Sequence, residues 1–434
     1  MEVERFLIQN FGCRATQADG AALESALLGD GMQVTASLGE ADLVILNTCT
    51  VTHAADEDVH QTLRRVHREN PEARILVTGC YAQRAPERLA AFPGVDWVVG
   101  NTHKTRIPEL IRQEGPAPFH GQVFVGDISA QQEFLSAPVE EAAGDRTRPN
   151  LKIQDGCNNR CSFCIIPAVR GRSRSATPAQ VIDQVRDLSR RYSEVVLSGI
   201  NLGRWGREPG VGLRLADLLR RLLEETDIRR LRLSSVEPMD WSDDLLGVVA
   251  SSPRIAQHVH APLQSGSDRV LRRMHRRYRP QHYRDRIGKA REWMPDAAIG
   301  ADVMVGFPGE TAEEFEETRR LVEELPFTYL HVFTYSERPG TPAAAMPQQV
   351  PMAERKRRNR ILRELAEVKN RAFRQSQIGK TISVVTLQQH LLSISSNYLK
   401  VELARDREPN LLMDIQAGGL TRDGLREVAP FAIL

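Results

Sequence analysis

The sequence has no long hydrophobic run and almost no excess of charge of either sign. Its 434 residues carry 58 Lys and Arg against 56 Asp and Glu, a formal net charge of +2. No apolar stretch is long enough to cross a bilayer, and the opening MEVERFLIQN has charges where a secretion signal needs an apolar segment. We therefore expect a cytoplasmic protein without a membrane partner, which would meet any nucleic acid through local basic patches.

Cysteine is also scarce, with six residues in the whole chain. In a reducing compartment such cysteines more often bind metals or act in catalysis than form disulfides. Half of them lie in the stretch CNNRCSFC, as Cys157, Cys161 and Cys164. The other half are far apart in the sequence. The distribution therefore points to metal or catalytic chemistry in at least one place.

The first 115 residues alternate between short apolar runs and helical patterns. RFLIQNFG, ADLVILNT, ARILVTG and VDWVVGN are short, continuous and rich in Val, Ile and Leu, which is typical of buried strands. Helical patterns such as ATQADGAALESALLGD and AADEDVHQTLRRVHREN lie between them. This order predicts an α/β domain over residues 1–115, with a doubly wound parallel sheet covered by helices on both faces.

The remaining three cysteines each follow one of these predicted strands. Cys13, Cys49 and Cys80 stand in FGC, NTC and TGC, where the chain turns toward the next helix. Since the carboxyl ends of neighbouring parallel strands face one crevice, we expect the three side chains to converge. Three thiolates meeting there could hold an iron-sulfur cluster. The alternative is three unrelated buried cysteines, because free cysteine is often buried.

Further domains follow a predicted linker at residues 116–147, which is rich in Gly, Pro, Gln and Ala. Residues 148–377 contain six strand-and-helix units, beginning at LKIQDG, EVVLSGI, RRLRLSSVE, HVHAPLQ, AIGADVMVGF and YLHVFTYS. Their order predicts a partial or complete barrel of parallel strands, whose chemistry lies at the carboxyl ends of the strands. Residues 378–434 show short alternating strands and predict a small antiparallel β-rich domain, which is a candidate RNA-binding barrel.

The loop with Cys157, Cys161 and Cys164 directly follows the first barrel strand. Its spacing allows one short loop to hold a four-iron cluster with three ligands, so that the fourth iron stays open for a substrate. A zinc site is the alternative. A closed zinc site needs a fourth ligand, which His258 or His260 could provide.

With both cysteine sets in place, the sequence resembles the radical S-adenosylmethionine (SAM) enzymes, and among them the methylthiotransferases. The resemblance rests on the CxxxCxxC loop, on the second set of cysteines, and on NTCTVTHAAD, KIQDGCNNRCSFCIIPAVRG, LSSVEP, PLQSGSD, GADVMVGFPGET and YLHVFTYSERPGTPAA. It implies that Cys157, Cys161 and Cys164 hold a 4Fe-4S cluster that binds SAM, with one electron cleaving SAM to a hydrogen-abstracting radical. It also implies that Cys13, Cys49 and Cys80 hold a second 4Fe-4S cluster, which handles the inserted sulfur.

Within this family the motifs are most similar to enzymes that methylthiolate N6-threonylcarbamoyladenosine at position 37 of tRNA. This implies a tRNA anticodon loop as partner and an electron donor of the flavodoxin or ferredoxin type, while the sulfur source is not indicated. Related enzymes that act on isopentenyladenosine of tRNA or on a ribosomal-protein aspartate stay open. So does a non-enzymatic, metal-stabilised RNA-binding protein. A cobalamin-binding first domain is disfavoured, because Asp58 and His60 in DVHQTL lack the glycine of a DxHxxG motif.

Four further residues lie at the ends of predicted barrel strands. By resemblance, Ser198 and Gly199 in LSGIN would contact the amino end of SAM, although a strand-ending turn also explains them. Glu237 in SSVEP and Gln264 in PLQSG would face the cavity. They either contact the cofactor or the base, or satisfy loop backbone groups.

Two strongly basic stretches stand out from the balanced overall charge. They cover residues 269–291 and 354–374, and at least one of them is predicted to contact RNA phosphates. The second has Ile361, Leu362, Leu365 and Val368 at helical spacing, which predicts a helix that packs through these side chains and presents arginines to solvent. The last domain offers Tyr398 and few basic residues for RNA.

Overall fold

The computed structural model describes residues 4–112, 121–130, 134, 147–208 and 211–429. The chain divides into two compact units. The first comprises Met1–Ala143, Asn150–Ala176 and Ser336–Ala344, and the second comprises Gly144–Pro149, Thr177–Tyr335 and Ala345–Leu434. Within the described ranges, no helix is long and apolar enough to span a bilayer.

The first unit contains eight strands and six helices among its described residues. They are β1 (Arg5–Asn10), α1 (Arg14–Gly29), β2 (Gln33–Val34), β3 (Leu43–Thr48), α2 (His53–Glu69), β4 (Arg74–Gly79), α3 (Cys80–Arg84), α4 (Pro86–Ala90), β5 (Val95–Val99), α5 (Ile107–Arg112), β6 (Gln122–Phe124), β7 (Asn150–Asp155), α6 (Ile166–Arg170) and β8 (Arg174–Ser175).

Strands β1 to β6 form one parallel sheet in the order β2-β1-β3-β4-β5-β6. Alternate residues of β3 face opposite sides, because side chains of a strand alternate. Leu43 and Ile45 pack with α1 and α5, whereas Val44 and Leu46 pack with α2, α3 and α4. The sheet is therefore covered by helices on both faces, and the predicted doubly wound fold is confirmed.

The predicted linker at residues 116–147 lies largely outside the described residues. Its described part includes β6, which pairs in parallel with β5 and extends the sheet. Strand β7 pairs with the short β8 in an antiparallel manner, through Gln154 with Ser175 and Asp155 with Arg174. The boundaries drawn at residues 115, 147 and 377 stay predictions.

The second unit contains ten strands and seven helices among its described residues. They are α7 (Pro178–Ser189), β9 (Glu194–Gly199), α8 (Leu215–Glu225), β10 (Arg230–Leu233), α9 (Asp243–Ser251), β11 (His258–His260), α10 (Asp268–Arg273), α11 (Pro280–Trp293), β12 (Ala298–Val305), α12 (Ala312–Glu324), β13 (Tyr329–Thr334), α13 (Met352–Ser376), β14 (Thr381–Thr386), β15 (Leu392–Ser395), β16 (Lys400–Glu402), β17 (Leu412–Leu420) and β18 (Leu425–Glu427).

Strands β9 to β13 belong to the partial barrel that the sequence predicts. Strand β9 pairs in parallel with β10, and β11, β12 and β13 pair in parallel in that order. Some helices between the strands start at residues whose side chains cap them, such as Thr311 before α12, whose side chain accepts from Glu314 N while Glu314 caps Thr311 in return. Such reciprocal capping fixes where a helix begins. All six predicted barrel segments contain strands, β7 being the first.

Strands β14 to β18 close into a small barrel in the order β14-β15-β16-β18-β17. Four neighbouring pairs are antiparallel, but β16 and β18 are parallel. The prediction of an antiparallel domain is therefore wrong for one pair. The reason is geometric, because a ring of five strands cannot alternate direction throughout, and one pair must run the same way.

A buried ion-pair network stabilises the second unit where the barrel meets the C-terminal domain. Glu194 on β9 accepts from Arg232 Nε and Nη2 on β10 at 2.7 and 3.1 Å. Arg232 also donates to the carbonyl oxygens of Ser395 and Ser396 in the small barrel. Burial raises the pKa of Glu194, but Arg232 and its neighbours outweigh burial and lower the pKa to about 2. The carboxylate is thus ionised and fully paired.

We predict that Glu194→Gln destabilises the protein by about 3–5 kcal/mol, because buried guanidinium groups lose their counter-charge. Urea unfolding of the wild type and variant measures this. The wild type's advantage is complete above about pH 4.3, the unfolded carboxyl value, and falls as the pH approaches 2. The control Asp183→Asn, which breaks an exposed ion pair with Arg186, is expected to change nothing measurable. Equal effects of both variants would contradict the prediction.

Candidate active site

The structure places Cys13, Cys49 and Cys80 at the carboxyl ends of three neighbouring strands. Cys13 follows β1 and precedes α1, Cys49 follows β3, and Cys80 follows β4 and begins α3. Because β1, β3 and β4 are adjacent in the sheet, the three thiols lie at one edge of it. The thiols are not disulfide-bonded, and Cys49 and Cys80 are buried whereas Cys13 is exposed.

Two glycines let these turns approach one another. Gly12 has φ +97°, and a Cβ added there would lie 2.7 Å from Cys49 Sγ. Gly79 has φ +98°, and its added Cβ would lie 2.7 Å from the backbone nitrogen of Thr48. Both positions thus require glycine for conformation and for space. The residues directly before Cys13 and Cys80 therefore help to bring the first cysteine set together.

Arg170 connects this cysteine set to the loop that carries the other one. It ends α6, six residues after Cys164, and is 1% exposed. Its Nε lies 3.2 Å from Cys80 Sγ, its Nη1 donates to Asp155 at 3.0 Å, and its Nη2 donates to Asp19 at 2.9 Å. Asp155 ends β7, two residues before Cys157. One guanidinium therefore contacts elements of both cysteine sets.

A second donor to Cys80 comes from the turn that follows β5. Asn101 Nδ2 lies 3.8 Å from Cys80 Sγ and donates to the carbonyl oxygen of Val169 at 2.8 Å. Cys80 also packs against Ile165 and Val169, which follow the CxxxCxxC loop. Donors to thiolate sulfur stabilise its negative charge, so Cys80 is well placed as a metal ligand.

The charges around Arg170 are buried and mutually compensated. Burial would raise the pKa of Asp19, but Lys104, Lys152 and Arg170 hold the pKa well below its usual value. Burial likewise opposes ionisation of Asp155, yet Lys152 and Arg170 lower the pKa of that carboxyl. Both carboxylates therefore stay ionised, and Arg170 keeps fixed counter-charges on its two terminal nitrogens.

The pKa of Cys49 is shifted the other way. Burial, followed by the proximity of Cys80 and Cys13, raises the pKa of the Cys49 thiol to about 12. Without a metal this thiol is protonated at neutral pH. Metal binding at the set must then displace a proton, as is usual for thiolate sites.

A cavity of about 240 Å³ lies beside this network. One part of its wall is apolar and another part carries the buried charges. Its lining residues are Asp19, Ala22, Leu23, Ala26, Asn101, Lys104, Thr105, Pro108, Lys152, Asp155, Arg170 and Arg174. Because Asn101 and Arg170 both line it, the cavity reaches the neighbourhood of Cys80.

The second cysteine set lies in one loop of the same unit. Cys157 N donates to Gly171 O at 3.0 Å, and Cys164 N donates to Cys161 O at 3.1 Å, which folds the loop back on itself. Asn159 N lies 3.4 Å from Cys157 Sγ. All three cysteines are half-buried and free of disulfides.

Both sets fit 4Fe-4S clusters by the chemistry of their donors. Each offers three thiols, no disulfide competes for them, and nitrogen donors point at Cys80 and at Cys157. Thiolates are the ligands that such clusters require, and hydrogen bonds to sulfur tune their potential. The roles of the individual cysteines as ligands stay predictions.

The other predicted site residues all lie in the second unit, at strand ends. Ser198 and Gly199 are the last two residues of β9. Glu237 is bound by Arg276 Nη2, and burial raises the pKa of its carboxyl. Gln264 has φ 60°, an uncommon backbone conformation outside glycine, and its N donates to Asp302 O at 2.8 Å. Their contacts with a cofactor stay predictions.

The first basic run is less positive in the structure than in the sequence. Most of its cations form ion pairs with carboxylates of the same unit. These pairs are Arg272 and Arg279 with Asp268, Arg273 with Glu314, Arg276 with Glu237, Arg284 with Glu324, and Arg286 and Lys289 with Asp243. Paired charges attract RNA weakly, which argues against this run as the main phosphate contact.

The second run forms α13, where Leu362 is buried and Ile361 and Leu365 are half-buried, as the predicted packing face requires. Val368 is 67% exposed and does not belong to that face, contrary to the prediction. Some arginines, such as Arg358, which pairs with Glu310, are buried and structural.

Four cations of α13 are exposed and have no ion pair among the described residues. They are Lys356, Arg360, Arg363 and Arg371. Their successive spacings of four, three and eight residues place them on one side of the helix.

Tyr398 is engaged within the second unit. Its ring stacks on His258 at a centroid distance of 4.6 Å and packs against Tyr329 at 5.6 Å. Similarly, the two residues nearest to a cobalamin motif belong to α2, where His60 is buried with its Nε2 2.8 Å from Tyr81 Oη. Both aromatic groups therefore have structural partners.

Sequence reasoning did not identify Asp19, Asn101, Lys152 or Arg170 as parts of the site. The available signal was weak but present, because Asp155 and Arg170 flank the CxxxCxxC loop closely and Asp19 lies six residues after Cys13. Ionic residues that accompany cysteines at strand ends are candidates for contacts around a cluster.

Two family descriptions match the chain. Residues 5–100 match the family described as uncharacterized protein family UPF0004, and residues 151–322 match the radical SAM superfamily. Together they cover the sheet with the first cysteine set and the segment that contains the CxxxCxxC loop.

Solved structures with the same fold include two radical SAM enzymes. The methyltransferase TsrM from Kitasatospora setae has a TM-score of 0.57 and 16% identity, covering 79% of this chain and 77% of that one. The enzyme OxsB has a TM-score of 0.51 and 11% identity, covering 85% of this chain and 56% of that one. At these identities the likeness supports the fold.

Sequence relatives extend over most of the chain. The threonylcarbamoyladenosine tRNA methylthiotransferase MtaB of Bacillus subtilis is 42% identical over 78% of this chain and 75% of its own length. The enzyme of the same name from Aquifex aeolicus is 35% identical over 94% of this chain and 98% of its own length. The tRNA-2-methylthio-N(6)-dimethylallyladenosine synthase of Desulforamulus reducens is 35% identical over 88% of this chain and 84% of its own length. The chain belongs to the radical SAM methylthiotransferase family.

Proposed function

We propose that this chain converts N6-threonylcarbamoyladenosine at position 37 of tRNA to its 2-methylthio derivative. The observation that carries the proposal is that one compact unit holds two sets of three cysteines outside disulfides, joined through Arg170. Two such sets suit a reaction that needs both hydrogen abstraction and sulfur insertion. Relatives named for threonylcarbamoyladenosine support the choice of substrate.

The protein requires two 4Fe-4S clusters and SAM for this activity. In the proposal, Cys157, Cys161 and Cys164 hold the cluster that binds SAM, and Cys13, Cys49 and Cys80 hold the second cluster. When bound, these groups supply one-electron cleavage of the sulfonium, hydrogen abstraction from adenine C2, and the sulfur and methyl of the product. A reductase of the flavodoxin or ferredoxin type delivers the electron, and the reaction takes place in the cytoplasm.

The chain's own residues position and insulate these groups. Arg170 and Asn101 hold the Cys80 sulfur in place and offset its negative charge. Gly12 and Gly79 allow the turns around it to approach closely. Ser198, Gly199, Glu237 and Gln264 are proposed to contact SAM or the base from the strand ends of the barrel, where the chemistry of such folds takes place.

The exposed stripe of α13 is proposed to contact tRNA phosphates. Lys356, Arg360, Arg363 and Arg371 lie on one side of the helix and are not neutralised by described carboxylates. Each phosphate contact releases counterions and makes binding depend on salt. An anticodon-loop base is a suitable target, because an unstacked base enters a deep pocket at lower cost than a paired one.

Deleting the gene tests the substrate. We expect loss of 2-methylthio-N6-threonylcarbamoyladenosine from total tRNA, with its unmethylthiolated precursor accumulating and the isopentenyl derivatives unchanged. Mass spectrometry of nucleosides measures all of these together. Loss of the isopentenyl derivative instead, or unchanged tRNA with an unmodified ribosomal-protein aspartate, would assign the chain to a different substrate within the family.

Single cysteine variants separate the two proposed clusters. Cys157→Ala is expected to abolish 5′-deoxyadenosine production, because SAM cleavage needs the CxxxCxxC cluster. Cys49→Ala is expected to keep SAM cleavage but form no methylthiolated product. Anaerobic turnover assays with chromatography of both products provide the readout, and full product formation by Cys49→Ala would refute the second-cluster assignment.

Arg170→Gln is expected to lower iron from about eight to about four per chain after reconstitution, because Cys80 loses its closest donor and the second cluster is retained poorly. The matched control is Arg338→Gln. Arg338 is also buried and pairs with Asp56 in the same unit, but its hydrogen bonds go to Asp56, Thr50 O and Ser336. Iron, sulfide and thermal unfolding are measured for both. Equal iron loss in the two folded variants would show a general packing effect.

A further inference from the structure

Three neighbouring strands of the second unit bring two imidazoles and a carboxylate together. His260 lies on β11, Asp302 on β12 and His331 on β13. The register pairs His260 with Gly300 and Asp302 with His331, so the three side chains share one face of the sheet. One ligand atom from each residue lies within 4.8 Å of the other two.

The separations of these atoms fit ligands of one metal ion. Asp302 Oδ1 is 3.3 Å from His260 Nε2 and 3.1 Å from His331 Nδ1. Two donors bound at about 2.0–2.2 Å to one ion, at tetrahedral or octahedral angles, are roughly 2.8–3.6 Å apart. Both observed distances fall within this range.

The orientation of His260 is unusual for a simple hydrogen-bonded cluster. His260 is buried, and its Nε2 has no hydrogen-bond partner among the described residues, although Asp302 is within range. His331 Nδ1 forms a hydrogen bond with Asp302 Oδ1 at 3.1 Å, whereas His260 Nε2 meets the same oxygen at 3.3 Å in an electrostatic contact, and both histidines lower the pKa of the carboxyl. A buried nitrogen without a hydrogen-bond partner destabilises the fold, and a bound ion would remove this cost.

The surrounding side chains hold the cluster rigidly and leave it open on one side. The His260 ring stacks on Tyr329 at an interplanar angle of 9°, and a Cβ on Gly300 would overlap the Tyr329 ring. His331 is 51% exposed, so a ligand can approach from there. Rigid donors with an accessible side are what a metal site with free coordination positions needs.

The backbone places this cluster beside the predicted cofactor residues. Val236 N, next to Glu237, donates to His260 O at 3.0 Å, and Gln264 N donates to Asp302 O at 2.8 Å. The cluster therefore lies next to the barrel strand ends where the substrate is proposed to bind.

We propose that His260, Asp302 and His331 bind a divalent first-row metal ion whose open positions take the carboxylate of the substrate's N6 substituent. Two imidazoles and one carboxylate on one side of an ion leave other positions free, and such donors suit Zn²⁺, Fe²⁺ or Mn²⁺. The carboxylate part rests on the proposed function, since threonylcarbamoyl carries a carboxylate and isopentenyl does not. The site thereby separates the two substrate classes.

Zinc retention by the cluster-loaded full chain tests the ion. After equilibrium dialysis with zinc, elemental analysis is expected to find one zinc per chain in the wild type and less than a tenth of that in Asp302→Asn and His331→Ala, with iron and sulfide unchanged. The matched control is His390→Ala, which removes an exposed histidine paired with Asp406 in the same unit. No zinc in the wild type, or equal zinc in His331→Ala, overturns the site.

Steady-state kinetics test the ligand. His331→Ala is expected to raise the KM for tRNA that carries threonylcarbamoyladenosine about tenfold, as loss of one charge-assisted contact predicts. The control His390→Ala is expected to leave both this KM and the rate of uncoupled SAM cleavage at the wild-type values. Unchanged KM with lost zinc overturns the carboxylate role alone. A wild type that does not methylthiolate this tRNA, yet retains zinc, refutes the proposed function and leaves the metal site intact.

Discussion

The contact between Arg170 and Cys80 is the interaction on which the arrangement of the first unit depends. A single guanidinium donates to a thiol of one cysteine set and to the carboxylate that precedes the other set. Its remaining nitrogen donates to Asp19. Since Arg170 is almost fully buried, it cannot exchange these partners for water. The positions of the two cysteine sets are therefore coupled, and a change at one is transmitted to the other by a group with few alternative conformations.

Such a network is costly to bury and is weak evidence for stability in itself. Removing charges from water costs several kcal/mol per ion, and only good geometry recovers this. In this network several ion pairs offset the cost of desolvation, because Asp19 and Asp155 each contact more than one cation. Burial also raises the pKa of the Cys49 thiol, so this thiol stays neutral when no metal is bound. Burial thus favours the metal-bound state over free thiolates.

The sequence predicted the elements well, because apolar runs and helical periods are local signals. The positions of Cys13, Cys49 and Cys80 after strands were enough to predict their convergence, since parallel strands end at one edge. Contacts between distant charges were not predictable in this way. The basic charge of the run at residues 269–291 was expected to be unpaired, because Asp243, Glu314 and Glu324, which neutralise much of it, are far away in the chain. Arg170 was missed for the same reason, as Cys80 lies 90 residues before it.

The closure of β14 to β18 into a ring also limits how this domain can engage a partner. A ring leaves no row of unpaired backbone groups, so neither another polypeptide nor a second copy can add a strand to it. Recognition by this domain is confined to side chains and loop tips, which can be exchanged without disturbing the ladder of backbone bonds. The domain is thus suited to acquire new binding preferences by substitution at its surface, while its protection against edge-to-edge aggregation stays intact.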